Sequence, residues 1–147
     1  MSRPMHFQVL LVLGLATSVL AASCGQKAAE EAAVPVSSVS VAKVDLGRAV
    51  GEDNRITDET NDFKPNDVIY ASVHTRGAAP NATLKVVWTF QDGQVVDQSE
   101  RTIAPAGDAA TEFHIAKADG WPVGNYRVEV FLNQISAEVH EFKVEAS

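Results

Sequence analysis

One stretch, Gly120-Trp121-Pro122-Val123-Gly124-Asn125-Tyr126-Arg127-Val128-Glu129-Val130-Phe131-Leu132, leaves this chain few choices of fold. A rigid Gly/Pro turn feeds a segment in which Tyr126, Val128, Val130 and Leu132 occupy alternate positions. Side chains alternate between the faces of a strand, so these four can share one core while Phe131 faces away. Such a turn leading into such a strand is how a β-sandwich rounds a corner into its centre.

The same alternation recurs along the chain. Val39, Val41 and Val44 mark a first edge strand, and Val68 to Thr75 a second, with Ile69, Ala71 and Val73 on one face and Tyr70, Ser72 and His74 on the other. Leu84, Val86, Trp88 and Phe90 point inward from Thr83 to Gln91, with Lys85, Val87 and Thr89 outward. Asp92-Gly93 is a hairpin turn, and Gln94 to Glu100 returns. Short strands follow at Thr102 to Ala104 and Thr111 to Ala116, and after Asn133-Gln134 a last strand runs from Ile135 to Glu145, with a bulge expected near His140-Glu141. Gly47 to Asp67 reads as a long polar connection, with Ile56 offering a short β contact, ending in the turn Phe63-Lys64-Pro65-Asn66-Asp67. No helical period longer than two turns and no internal repeat appears in this region. Short strands at this spacing predict an all-β sandwich of about seven antiparallel strands.

The amino terminus reads as an address. Arg3 precedes an apolar run from Phe7 to Leu20, and small residues lead to Cys24, the single cysteine of the 147 residues. This is the layout of a secretory signal peptide, with an apolar run too short to span a bilayer comfortably. Residues 1–23 are expected to be the signal, 24–37 a cysteine and an Ala/Glu-rich flexible tether, and 38–147 the folded domain. The net charge of −7 and the lack of a basic cluster exclude nucleic acid as a probable class of partner. One cysteine also excludes an internal disulfide.

Leu20-Ala21-Ala22-Ser23-Cys24 resembles the lipobox of bacterial lipoproteins, although Leu stands one place earlier than that family prefers. The resemblance implies diacylglycerol on the Cys24 sulfur and cleavage before it, and Gly25 implies an outer-membrane address, facing the periplasm. The alternatives are an ordinary signal peptide cut before a free thiol, or an uncut anchor. Tyr126 after Pro122-Val123-Gly124 looks like the tyrosine corner of immunoglobulin-like and fibronectin type III domains, and Trp88 like the core tryptophan of immunoglobulin folds. Over Ser38 to Glu145 the chain therefore resembles envelope lipoproteins carrying one immunoglobulin-like domain. Trp88, Tyr126 and Gly124 are its expected structural residues.

Sites are harder to find. His74, His114 and His140 lie on separate strands without metal-ligand spacing, and His74 and His114 are expected to be solvated. The acidic loop offers Asp53, Asp58 and Asp62 as weak candidates for calcium, but no EF-hand spacing is present. No nucleophile–base set and no phosphate loop occurs, so neither an enzyme nor a cofactor is expected. The candidate interaction residues are Phe131, Val87 and Tyr70, outward on their strands, and Trp121 in the corner turn. The expected function is a lipid-anchored, non-catalytic interaction module of the cell envelope with an envelope protein partner. The alternative is a glycan- or calcium-binding module using the end loops.

Overall fold

A computed structural model describes residues 38–147; the expected signal 1–23 and the whole of the tether 24–37, Cys24 included, lie outside the described residues. Nine strands form two sheets. Strands β1 (Ser40–Val50), β2 (Ile56–Glu59), β4 (Ile69–Arg76) and β7 (Ala109–Ile115) make a four-stranded sheet in the order β2-β1-β4-β7. Strands β3 (Asp62–Phe63), β5 (Ala82–Phe90), β6 (Gln94–Ile103), β8 (Gly124–Leu132) and β9 (Ile135–Val144) make a five-stranded sheet in the order β3-β9-β8-β5-β6. The fold is an all-β sandwich, as the alternation predicts.

Two strands more than the expected seven come from the segment that reads as polar connection, and not every pairing is antiparallel. Strand β3 is only two residues long and pairs parallel with β9, placing Asp62 beside Lys143 and Phe63 beside Val144. Phe63 is therefore not a turn residue. It is fully buried and meets the Phe142 ring edge-on at 5.4 Å. The bulge in the last strand also sits elsewhere, opposite the Val130/Phe131 step at Ala137. Val139 consequently faces solvent while Phe142 and Val144 face the core.

The core lies between the sheets. Val44, Leu46, Ile69, Ala71, Val73 and Phe113 from one sheet meet Leu84, Val86, Trp88, Val128, Val130 and Phe142 from the other. Trp88 and Tyr126 share this interior through Phe142, whose ring lies 5.9 Å from Trp88 and 5.3 Å from Tyr126. Such aromatic contacts stabilise beyond their buried area.

The corner closes as expected. Tyr126 is buried and its hydroxyl donates to the Pro122 carbonyl at 2.8 Å. Burial also pushes the Tyr126 hydroxyl pKa above the usual phenol value. Gly124 is needed where it stands, because its φ is +154° and a Cβ there would lie 2.8 Å from a ring carbon of Phe90. Tyr126→Phe removes one hydrogen bond and keeps the ring. It is expected to cost about 0.5–1.5 kcal/mol in urea unfolding, and an unchanged midpoint would show that the hydroxyl does not hold the corner.

Candidate functional site

The corner turn also builds a surface hollow of about 610 Å³. Phe90, Trp121, Pro122 and Tyr126 line it together with Val95 and Val96 at the start of β6 and Ile115 at the end of β7. Gln94, Asp97 and Lys117 supply its polar groups. Trp121 forms floor rather than surface. Its exposure is 7%, its indole N–H donates to the Asp67 carbonyl at 3.2 Å, and its ring stands edge-on to Tyr126 at 6.2 Å. Of the two readings of Trp121, adding to a surface or capping the end of the sandwich, the structure has the second, because Pro65 and Asp67 draw the turn inward: the Trp121 backbone N–H donates to the Pro65 carbonyl at 2.7 Å. The exposed apolar groups at this end are Val95 and, in the turn itself, Val123.

The other candidate interaction residues do not form one surface. Val87 and Phe131 do lie on neighbouring strands of the five-stranded sheet, with Val87 opposite Glu129 and Phe131 opposite Lys85. Both are half-buried, and those charged neighbours share their face. Tyr70 belongs to the other sheet, half-buried, with its ring 5.4 Å from that of His114. A single patch uniting Tyr70 with Phe131 is thus excluded by the sheet order.

Acidic residues of the β1–β2 region are held apart by their own partners. Asp58 pairs with Arg48 at 3.1 Å, Asp53 with Arg55 at 3.5 Å, and the Asp62 backbone is tied to the Thr60 hydroxyl. Among the described residues, no group of three or more His, Cys, Asp or Glu side chains is placed to hold a metal ion.

The largest departure from the sequence reading is His74. Its place on the outer face of β4 predicts a solvated ring, yet its exposure is 6%. The connection between β1 and β2 covers it. The Ser72 hydroxyl donates to the Asn54 carbonyl at 2.6 Å, and the Asn54 side chain donates to the Ala110 carbonyl at 3.2 Å, fixing this connection across β4 and β7. Arg55 Nη1 lies 2.9 Å from His74 Nδ1, and Asp45 Oδ2 lies 3.0 Å from Nε2. A guanidinium can only donate, so Nδ1 must accept and the ring proton sits on Nε2, facing Asp45. Protonation would set two donors against each other at Nδ1.

The His74 pKa is held below the usual imidazole value, chiefly by burial, which outweighs the opposing pull of Asp45; Lys43 and Arg55 push the same way as burial. The unfolded ring, with its ordinary pKa near 6.5, binds its proton first as pH falls. The stability this group contributes is therefore complete above that value and is lost as pH falls toward and through the folded value. The urea midpoint is expected to decline from pH 7 toward pH 5, and to decline less in His74→Gln; equal slopes would show that His74 is not responsible.

No family model matches the sequence, and no curated protein matches it either. Among solved structures the chain is similar to the CARDB domain of a Pyrococcus furiosus protein, solved in complex with di-metal ions. Identity there is 12% over 74% of this chain and 87% of that one, with a TM-score of 0.45. It is also similar to the alkylpurine DNA glycosylase AlkC of Pseudomonas fluorescens, solved bound to DNA containing an abasic site analogue. That match has 16% identity over 74% of this chain, a TM-score of 0.45, and spans only 30% of the glycosylase chain. At such scores neither likeness bears on ligand or activity, and the metal and the DNA belong to those two proteins.

Proposed function

We propose that this chain is a lipid-anchored, non-catalytic interaction module of the bacterial cell envelope, an immunoglobulin-like sandwich held by acylated Cys24 at the outer membrane and facing the periplasm. Its partner is another envelope protein. The anchor rests on the sequence: positive end, apolar run, small residues and the one cysteine in succession. Several acyl chains, at about 0.8 kcal/mol per buried methylene, hold a protein to a membrane stably.

The observation that carries the binding reading is where the aromatic-lined hollow lies. Ser38 hydrogen-bonds to Ala78 at the end of the sandwich where β6 finishes, whereas the hollow opens at Gln94, where β6 begins. A strand of this length separates the two by about 30 Å. The hollow therefore lies at the end of the sandwich opposite Ser38, the first described residue. Confinement to a surface raises local concentration, so a modest contact there is enough.

The test expresses the full chain in bacteria with an alkyne palmitate analogue and a photo-crosslinking residue at Val95 or, as control, Val139. Label that depends on Cys24 and a crosslinked envelope protein seen from position 95 but not 139 are expected. Label retained in Cys24→Ala would refute the anchor, and equal crosslinking from both positions would refute the hollow as the contact.

A further inference from the structure

The two sheets do not treat their edges alike. Two edge strands are short, β2 with four residues and β3 with two, the latter covering only Lys143 and Val144 of β9, and β7 has seven. Strand β6 has ten, Gln-Val-Val-Asp-Gln-Ser-Glu-Arg-Thr-Ile, and is the outermost strand of its sheet. It contains no proline and no lysine, a bulge at Val96 confines its regular stretch to Asp97–Ile103, and an open edge of that length is a template for another strand.

The direction of its free backbone groups follows from β5. Asn133 N–H donates to the Thr83 carbonyl and Gln91 N–H to the Asn125 carbonyl, so the odd-numbered residues of β5 bond toward β8. Alternation turns Leu84, Val86 and Trp88 toward β6, where they meet Arg101, Ser99 and Asp97. The residues of β6 whose N–H and C=O groups point outward are therefore Gln98, Glu100 and Thr102, and of these the Gln98 N–H donates to Oδ1 of the neighbouring Asp97 at 2.8 Å.

We propose that β6 is a self-association edge, pairing antiparallel with β6 of a second copy about a two-fold axis through Ser99. This inference goes beyond the binding reading above and does not depend on it. The backbone allows only registers that oppose outward-pointing residues to each other. With the axis at Ser99, Gln98 of each copy exchanges hydrogen bonds with Glu100 of the other. Asp97 of each copy then lies opposite Arg101 of the other, in the closer, non-hydrogen-bonded type of pair. Moving the axis one residue toward the C-terminus sets Glu100 against Glu100, and two residues sets Arg101 against Arg101. Moving it one residue the other way leaves both charges without an opposite. Only the Ser99 register is charge-complementary, and a two-fold axis makes it so twice. Asp97 is exposed and its Oδ1 accepts from the Gln98 N–H, so pairing exchanges that one local bond for Arg101 of the other copy and frees the Gln98 N–H for Glu100; Arg101, half exposed, approaches Glu112 at 3.7 Å with its guanidinium over the Phe113 ring.

The full chain, solubilised from membranes, is to be followed by sedimentation velocity over a range of concentrations. The wild type is expected to dimerise. Asp97→Arg and Arg101→Asp alone should each weaken the dimer about tenfold or more, and the double exchange should restore it, which a variant that merely misfolds would not do. In addition Ser99→Cys should form an intermolecular disulfide under mild oxidation, because self-paired residues stand within disulfide reach, whereas Gln98→Cys, out of step with its own copy, should not. A wild type that stays monomeric throughout, a double exchange no better than the single variants, or equal crosslinking at 98 and 99 would each overturn the proposal.

Discussion

Phe142→Ala is expected to lower folding stability by about 3–5 kcal/mol, the range for deleting a large buried aromatic side chain. Phe142 is 2% exposed and touches three other rings: Phe63 at 5.4 Å, Trp88 at 5.9 Å and Tyr126 at 5.3 Å. Those rings come from β3, β5 and β8, so alanine opens a space that no single neighbour can fill without moving its strand. The two-residue strand β3 is tied to β9 beside this position and has little else to hold Phe63 in place, so it should loosen first. Against a typical domain stability of about 5–15 kcal/mol, the loss is a large fraction. Urea unfolding reads it directly. Val139→Ala, on the same strand with its side chain in solvent, provides the comparison and should change little. A Phe142→Ala midpoint close to that of Val139→Ala would show that the core is not organised around this ring.

The contrast between Phe142 and His74 shows what a sequence discloses. Strict alternation from Leu84 to Trp88 and from Tyr126 to Val130 placed both central strands and their inward faces correctly, because a strand with one buried face must repeat every two residues. The resemblance of Tyr126 to a tyrosine corner named no partner for its hydroxyl, which donates to the Pro122 carbonyl. Alternation, however, reports only which side of a strand a residue occupies. It is silent on what lies over that side. His74 has the outward parity expected of it and is nonetheless buried, because a polar connection twenty residues earlier crosses the outer face. Trp121 is buried for a related reason: its backbone N–H is drawn down onto Pro65 and its indole onto Asp67 by bonds that no local pattern encodes. Strand β3 was invisible because two residues carry no period, and its partner lies eighty residues away. The hollow at the corner combines β5, β6, β7 and the turn, so it could be read only once the sheet order was known.

Gly47→Val should uncover His74, and the two readouts of that substitution are linked. Gly47 pairs with Tyr70 on one side and Glu59 on the other, and a Cβ there would run into the Asp58 carbonyl oxygen and the Ile56 methyl group. A carbonyl in a strand cannot swing aside as a flexible side chain can, so β2 must move away from β1. Overpacking of this kind costs about 1–3 kcal/mol. The displacement matters beyond its energy because β2 carries the Asn54–Arg55 segment with it. The Ser72–Asn54 bond and the Arg55–His74 contact hold that segment over β4, and both should be lost. His74 would then regain water, removing the burial that chiefly lowers its pKa. Its ring resonances should titrate closer to 6.5, the ordinary imidazole value, than they do in the wild type. The decline of stability between pH 7 and pH 5 should flatten to match. A valine variant that loses stability while His74 keeps its wild-type titration would show that β2 and the segment over His74 move independently, and that the cover is held by its own hydrogen bonds to β4 and β7.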